Sequence, residues 1–298
     1  MLKHWQFERY PAKFSRMTRD PNKIASVRIS ESISVGPGHR LLVICGPCQI
    51  ESRDHAMKCA ATIQKIFASF PNLSLVFKSS YDKANRTSLS GQRGVGLDAG
   101  LKILAEIKRE FNLPVLTDVH SVEQAEAAAH VVDVLQTPAF LCRQTDFLLG
   151  VSKTGKPINV KKGQFLSPED MRLVAEKIAS TGNKNIMLCE RGASFGYRDL
   201  IVDMRSFEIM KKSGYPVIFD ATHSVQSMGG AGGASGGARE FVAPLARAAV
   251  ATGIHGIFIE AHDSPQNAPS DGPCMIPFAE LPELLESISL IRTALGNG

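Results

Sequence analysis

Eight short apolar runs of strand-forming residues constrain this chain most. They are Leu41–Cys45, Leu73–Phe77, Pro114–Leu116, Val132–Leu135, Pro157–Val160, Ile186–Leu188, Pro216–Phe219 and Gly256–Ile259. Each gives way to polar or charged residues, in turn GPCQIES, KSSYDKANRTS, TDVH, QTPAF, KKGQF, CERGASFG, DATHS and EAHDS. Stretches of helical length lie between the runs, and no Pro/Ser-rich linker breaks the alternation. Strand–helix alternation of this kind builds a parallel sheet. Eight repeats close it into a (β/α)8 TIM barrel, in which all strands deliver their C-terminal ends to one face. Chemistry at every strand end therefore predicts an α/β barrel enzyme.

The 298 residues suit one such barrel, which takes roughly 250, with extras. The expected division is an N-terminal extension and hairpin over residues 1–38 and a catalytic barrel over 39–298. Val27–Val35 alternates at strand period before the turn at Gly36-Pro37-Gly38, predicting a short β-hairpin that plugs one barrel end. Before it, Lys3, Arg9, Lys13, Arg16, Arg19 and Lys23 outnumber Glu8 and Asp20 in a basic extension, where Met17 is an alternative start. Helices are predicted near Arg53–Phe70, Val95–Phe111, Val122–His130, Gln144–Ser152, Ser167–Gly182, Leu200–Lys212, Arg239–Thr252 and Leu281–Leu295. The Gly-rich Met228–Gly237 follows the seventh strand. It is a candidate lid, with a plain surface loop as the alternative.

No apolar run reaches the ~18 residues of a membrane span, and the charged N-terminus lacks a secretory apolar core. A formal net charge of +5 without a basic helix or aromatic-interleaved patch argues against nucleic acid. It suits anionic small substrates if the charge converges in a cleft. Six cysteines scattered through a long chain suggest a reducing compartment, hence the cytoplasm.

Cys45-Gly46-Pro47-Cys48 can be read as a redox dithiol, as merely buried thiols, or as the source of a metal-binding thiolate. The barrel setting and Ile44 before the first cysteine weigh against the redox protein. For a metal, the partners are His223, Glu260 and Asp271, each at or just beyond a strand end. Together with Cys48 they form a mixed donor set suited to a divalent transition ion with an open position. Singly, these could be a core histidine, an ion-paired Glu and a turn Asp. A second constellation, Lys78, Lys83, Arg86, Lys161 and Arg191, also follows strand ends. Without matching carboxylates, it predicts a site for doubly charged groups such as phosphate and carboxylate. Asn85, Thr87 and Ser88 add neutral donors. Asp118 and His120 share a strand face and suit sugar hydroxyls or proton transfer, with a structural Asp–His pair as the alternative. Gln136, Phe140 and Gln164 read as pocket walls, and Arg143 and Gln144 as residues able to cross a subunit boundary.

Taken together and in order, GPCQIES, KSSYDKANRTS, TDVH, QTPAF, RQTD, INVKKGQF, CERGASFGY, PVIFDATHSVQ and IEAHDSP…SDGP resemble the 3-deoxy-D-manno-octulosonate-8-phosphate synthases. The resemblance runs from about residue 41 to about 278 and implies a barrel that is typically a homotetramer. It implies condensation of phosphoenolpyruvate with arabinose 5-phosphate. Lys78, Lys83, Lys161 and Arg191 would hold phosphoenolpyruvate. Asn85, Arg86, Thr87 and Ser88 would hold the sugar phosphate, with Arg143 entering from a neighbouring subunit. Ser80 and Ala139 join the substrate-binding set, alongside Gln136, Phe140 and Gln164. Lys83, Lys161, Asp118, His120, His223 and Asp271 form the catalytic set. Cys48 with His223, Glu260 and Asp271 implies a metal-dependent member using Zn, Fe, Mn, Co or Cd. Related 3-deoxy-arabino-heptulosonate-7-phosphate synthases share barrel, metal set and phosphoenolpyruvate but typically carry a KPRT-like segment. Lys83-Ala84-Asn85-Arg86 stands there in this chain, favouring arabinose 5-phosphate over erythrose 4-phosphate. The rivals from other classes are a thiol redox protein and a non-catalytic barrel that binds anionic metabolites.

Overall fold

The computed structural model of the chain describes residues 23–85, 91–197, 199–231 and 234–296. The basic extension before residue 23 lies outside them. The described chain enters through an antiparallel hairpin of β1 (Val27–Arg28) and β2 (Ser34–Val35). Seven parallel strands follow: β3 (Leu41–Gly46), β4 (Leu73–Lys78), β5 (Val115–Asp118), β6 (Val134–Thr137), β7 (Ile158–Lys161), β8 (Ile186–Glu190) and β9 (Val217–Asp220). A second hairpin, β10 (Gln226–Ala231) and β11 (Ala234–Gly237), precedes β12 (Gly256–His262). β12 pairs with both β9 and β3 and so closes an eight-stranded parallel barrel. β13 (Ile276–Pro277) adds to the end of β12.

The helices are α1 (Arg53–Phe67), α2 (Leu97–Phe111), α3 (Val122–Ala129), α4 (Thr145–Lys153), α5 (Met171–Ala179), α6 (Arg205–Lys211), α7 (Val242–Ala251) and α8 (Leu281–Ala294). Ser52 caps α1 by accepting the His55 N–H at 3.2 Å, and Ser121 caps α3 in the same way. Three helices start later than their sequence signals. From Ser167, four successive i→i+3 bonds form a tight turn, so α5 proper begins at Met171. Ile201 exchanges both backbone hydrogen bonds with Ala193, which keeps Leu200–Val202 out of α6. Arg239–Phe241 likewise forms a 3-10 turn ahead of α7.

Strand alternation sorts the apolar side chains into two cores. Leu41, Val43, Cys45, Leu75 and Phe77 face the helical ring. Leu42, Ile44, Val76, Leu116, Val134, Met187, Cys189, Ile218 and Phe258 fill the barrel interior. Val27, Ile29 and Val35 of the entering hairpin pack into this inner core and stop the barrel at the N-terminal ends of its strands. Among the described residues no helix is long and apolar enough to cross a membrane.

Candidate active site

One step of strand alternation above the inner apolar layer, the inward positions turn polar. Val76 leads to Lys78, Leu116 to Asp118, Val134 to Gln136, Cys189 to Arg191, Ile218 to Asp220 and Phe258 to Glu260, while on β7 the already polar Asn159 leads to Lys161. On β3 the same position is Gly46, where an added Cβ would lie 1.9 Å from the Lys78 carbonyl oxygen. Glycine therefore permits the close approach of β3 to β4. The floor opens into a cavity of about 1170 Å³, walled by groups that include Lys83, His120, Phe140, Gln164 and Asp271.

The cations on this floor are not free of carboxylates, contrary to the expectation from sequence. Lys78 Nζ donates to Glu260 Oε1 at 2.5 Å and to the Cys48 carbonyl at 2.8 Å. Lys161 Nζ donates to Asp220 Oδ2 at 2.6 Å and lies 3.9 Å from the centre of the Phe258 ring. Lys83 Nζ approaches Glu260 Oε1 to 4.0 Å. The physical reason is burial: cations this deep need partners, and the same polar layer supplies them. Burial disfavours the charged form of Lys161, but Asp220 and Asp118 outweigh it and raise its pKa. Burial also lowers the Arg191 pKa. Its Nη2 donates to the His223 carbonyl and to Gln226 Oε1, each at 3.0 Å.

Asp118 accepts hydrogen bonds from Ser80 Oγ and, at 2.6 Å, from Gln136 Nε2, while Asn159 donates to Gln136 at 2.8 Å. Burial opposes its ionisation, yet Lys78, Lys83, Lys161 and the Ser80 bond hold its carboxyl well below the usual range. The Asp118–His120 pair entertained from sequence does not form. His120 is instead held by Gln124 of α3, 3.2 Å from its Nδ1, because its strand has ended and its ring leans toward the next helix. Both residues still face the cavity, as do Ala139, Phe140 and Gln164, while Ser80 and Gln136 lie buried behind Asp118. Asn85 is on the wall; Arg86, Thr87 and Ser88 lie outside the described residues. Arg143 is exposed and away from the cavity wall of the single chain.

Cys48, His223, Glu260 and Asp271 converge. Cys48 Sγ donates to Asp271 Oδ2 at 3.1 Å, and ligand atoms of Cys48, Glu260 and Asp271 lie within 4.8 Å of one another. His223 Nε2 stands 3.6 Å from Glu260 Oε2 and 3.9 Å from Asp271 Oδ2. Its Nδ1 is tied to Asp220 Oδ2 at 2.9 Å. Glu260 Oε2 is buried without a hydrogen-bond partner, an exception to the rule that buried polar atoms are satisfied. These donors fit a divalent ion: a thiol, an imidazole nitrogen turned inward, and two carboxylates, one with an orphaned oxygen. Burial and the Glu260 charge push the Cys48 thiol up. Cys45 points the other way, into the helical core, and burial pushes its thiol up to about 12. Two buried thiols, one turned from β3 into the helical core and one in the loop beyond it facing Asp271, both with raised pKa, do not make a redox dithiol.

Asp220 is the functional residue that sequence reasoning missed. It stands two residues after the inward Ile218 in DATHS, so alternation alone marks it. Gln226, which bridges Arg191 and Asp271, carries no such signal, because it lies beyond the strand.

Comparison with known proteins places the chain. The DAHP synthetase I family model matches residues 23–295. The chain belongs to this family. Among curated relatives, the 2-dehydro-3-deoxyphosphooctonate aldolase of Rhizobium meliloti (strain 1021) is 59% identical over 249 residues, covering 84% of this chain and 89% of that protein. The proteins of the same name from Agrobacterium fabrum (strain C58) and Trichlorobacter lovleyi are 59% and 57% identical. They cover 84% and 87% of this chain, and 88% and 95% of their own lengths. Within the DAHP synthetase I family, then, the chain's marked similarity is to proteins named for an eight-carbon sugar acid.

Proposed function

We propose that this protein joins phosphoenolpyruvate to D-arabinose 5-phosphate and water, giving 3-deoxy-D-manno-octulosonate 8-phosphate and inorganic phosphate. The observation that carries this reading is the meeting of two systems on one cavity floor. Lys83, Lys161 and Arg191 lie beside the Cys48, His223, Glu260 and Asp271 cluster. The shared name of relatives 54–59% identical to the chain supports the eight-carbon product over the seven-carbon alternative built on erythrose 4-phosphate.

In this reading C3 of phosphoenolpyruvate attacks the sugar aldehyde and water adds at C2. The phosphorylated hemiketal then expels phosphate by C–O cleavage. Lys83, Lys161 and Arg191, with Lys78 behind them, hold the carboxylate and phosphate and stabilise charge as it redistributes. Asp220 and Gln226 fix Lys161 and Arg191 before substrate arrives, so little reorganisation is needed during the reaction. Asp118, kept ionised by its lysine neighbours, and His120 lie along the sugar chain. Asn85 with Arg86, Thr87 and Ser88 grips the sugar phosphate. A divalent ion held by Cys48, His223, Glu260 and Asp271 would supply Lewis acidity for the aldehyde or the water. We take residues 39–298 as the catalytic unit, Met228–Gly237 as its lid, and the working form as a cytoplasmic homotetramer in which Arg143 serves a neighbouring site.

The test is phosphate release from phosphoenolpyruvate with arabinose 5-phosphate or erythrose 4-phosphate, each with and without chelator. Release with arabinose 5-phosphate alone, lost on chelation and restored by a divalent ion, is expected. Preference for erythrose 4-phosphate would overturn the substrate, and chelator-insensitive turnover would overturn the role of the metal cluster.

A further inference from the structure

A second group of metal-type donors lies outside the substrate cavity, between the N-terminal end of α1 and the loop that follows β12. His55 and Cys59 stand one helical turn apart on one face of α1, with Cys59 Sγ 3.4 Å from His55 Nε2. Asp263 Oδ1 is 3.0 Å from the same His55 nitrogen and 3.3 Å from His262 Nδ1. Ligand atoms of His55, Cys59 and Asp263 lie within 4.8 Å of one another, and so do those of Glu51, His55 and His262. None of these residues walls the substrate cavity.

Hydrogen bonding sorts ligands from supports. His262 Nδ1 accepts the Ser264 N–H at 2.9 Å, so its Nε2 carries the proton and gives it to Glu51 Oε1 at 2.7 Å. His262 therefore orients Glu51. Lys58 holds Asp263 by Oδ2 at 2.8 Å, leaving Oδ1 turned to His55. Four donors remain in two adjoining groups that share His55, Glu51 in one and Cys59 and Asp263 in the other, the same side-chain types as in the cavity cluster. Burial, with the charges of Asp263 and Glu51, pushes the Cys59 thiol up, as expected where negative charge outweighs Lys58. Three anionic ligands with Lys58 and one divalent ion sum to zero charge.

We infer that Glu51, His55, Cys59 and Asp263 form a second site for a divalent transition ion of the zinc, cobalt or cadmium class. Thiolate and imidazole select this class over magnesium or calcium. The ion displaces the thiol proton of Cys59 and takes the place of the proton between His55 Nε2 and Asp263, the neutral imidazole then carrying its proton on Nδ1. Lys58 and His262 stay in place as outer partners. Glu51 follows Cys48 by three residues and Asp263 follows Glu260 by three, so the ion ties the loop after β3, which carries Cys48, to the loop after β12, which carries Asp271.

The experiment uses the whole chain, stripped by chelator and titrated with Co²⁺, in a Cys48→Ala background that removes the cavity thiol. Cys48→Ala is expected to retain a cobalt–thiolate charge-transfer band and to gain thermal stability as the ion binds. The band should vanish in Cys48→Ala/Cys59→Ala. In Cys48→Ala/His55→Ala, whose lost side chain is partly exposed, affinity should fall by more than the roughly 10–100-fold of an outer-partner change. A folded Cys48→Ala protein without the band, or a band that survives loss of Cys59 or is unchanged by loss of His55, overturns the site. Phosphate release plays no part in these readouts, so their failure leaves the proposed reaction untouched.

Discussion

Asp220 holds His223 by its Nδ1 at 2.9 Å, and the same carboxylate takes the Lys161 ammonium at 2.6 Å. One buried acid thus sets the direction of an imidazole that faces the metal-type cluster and of a lysine on the substrate floor. With Nδ1 protonated toward Asp220, Nε2 presents its lone pair to Glu260 and Asp271. Asp220→Asn is expected to weaken divalent-ion affinity roughly 10–100-fold, the usual cost of losing such a partner. Competition against a chromophoric chelator measures this, and unchanged affinity would refute the orienting role.

Lys78 and Glu260 are both shut off from solvent and share a 2.5 Å hydrogen bond. Removing only the cation leaves a buried carboxylate unpaired. Lys78→Met should therefore cost about 3–5 kcal/mol of stability in metal-free protein. Lys78→Met/Glu260→Gln should recover part of that loss. Denaturant titration decides: a single-variant loss below about 1 kcal/mol, typical of an exposed pair, would contradict the account.

Much of this architecture was legible from two periodicities. The eight apolar runs located every barrel strand, their ends placed Lys78, Lys161, Arg191 and Glu260 at one cleft, and alternation put Asp118 and His120 on one strand face. Strand ends were read short because the terminal inward residue is polar: β4 runs on to Lys78 and β12 to His262. The pairing of the cations was not legible, since Lys78 and Glu260 stand 182 residues apart and only barrel closure brings them together. Asp220 escaped because DATHS drew attention to its histidine. Helix starts at Ser167 and Leu200 were misplaced because a 3-10 turn and a two-residue bridge compete locally with the helix.

Cys48→Ser keeps a small polar side chain beside Asp271 but replaces a soft ligand by a poor one. Bound metal per chain and turnover should fall together, and added divalent ion should restore turnover only in part. Full turnover by the metal-stripped variant would leave Cys48 a bystander.

At the opposite end of the barrel, His255 is buried, and its Nδ1 accepts the Val217 N–H at 3.1 Å. Burial, with Lys211 and Arg292 nearby, pushes its pKa down from 6.5 to about 4. Above the unfolded value the ring is neutral in both states and pH has no effect through it. As pH falls from about 6.5 to about 4, the unfolded chain takes up the proton first and stability drops by up to roughly 3 kcal/mol. The buried carboxylates begin to lose their contribution only below about pH 5, and comparison with a His255 variant isolates the part that is His255's. Urea unfolding at pH 7 and 4.5 should show the loss in the wild type and a much smaller one in His255→Asn. Equal losses in both proteins would assign the effect elsewhere.

Mass spectrometry of the product formed from phosphoenolpyruvate and arabinose 5-phosphate tests the central claim most directly. An eight-carbon 3-deoxy-2-keto acid carrying one phosphate, formed one-to-one with inorganic phosphate, is the predicted result. Unconsumed phosphoenolpyruvate, or its loss without a new carbon–carbon bond, would contradict the reading of this cavity as a condensing site.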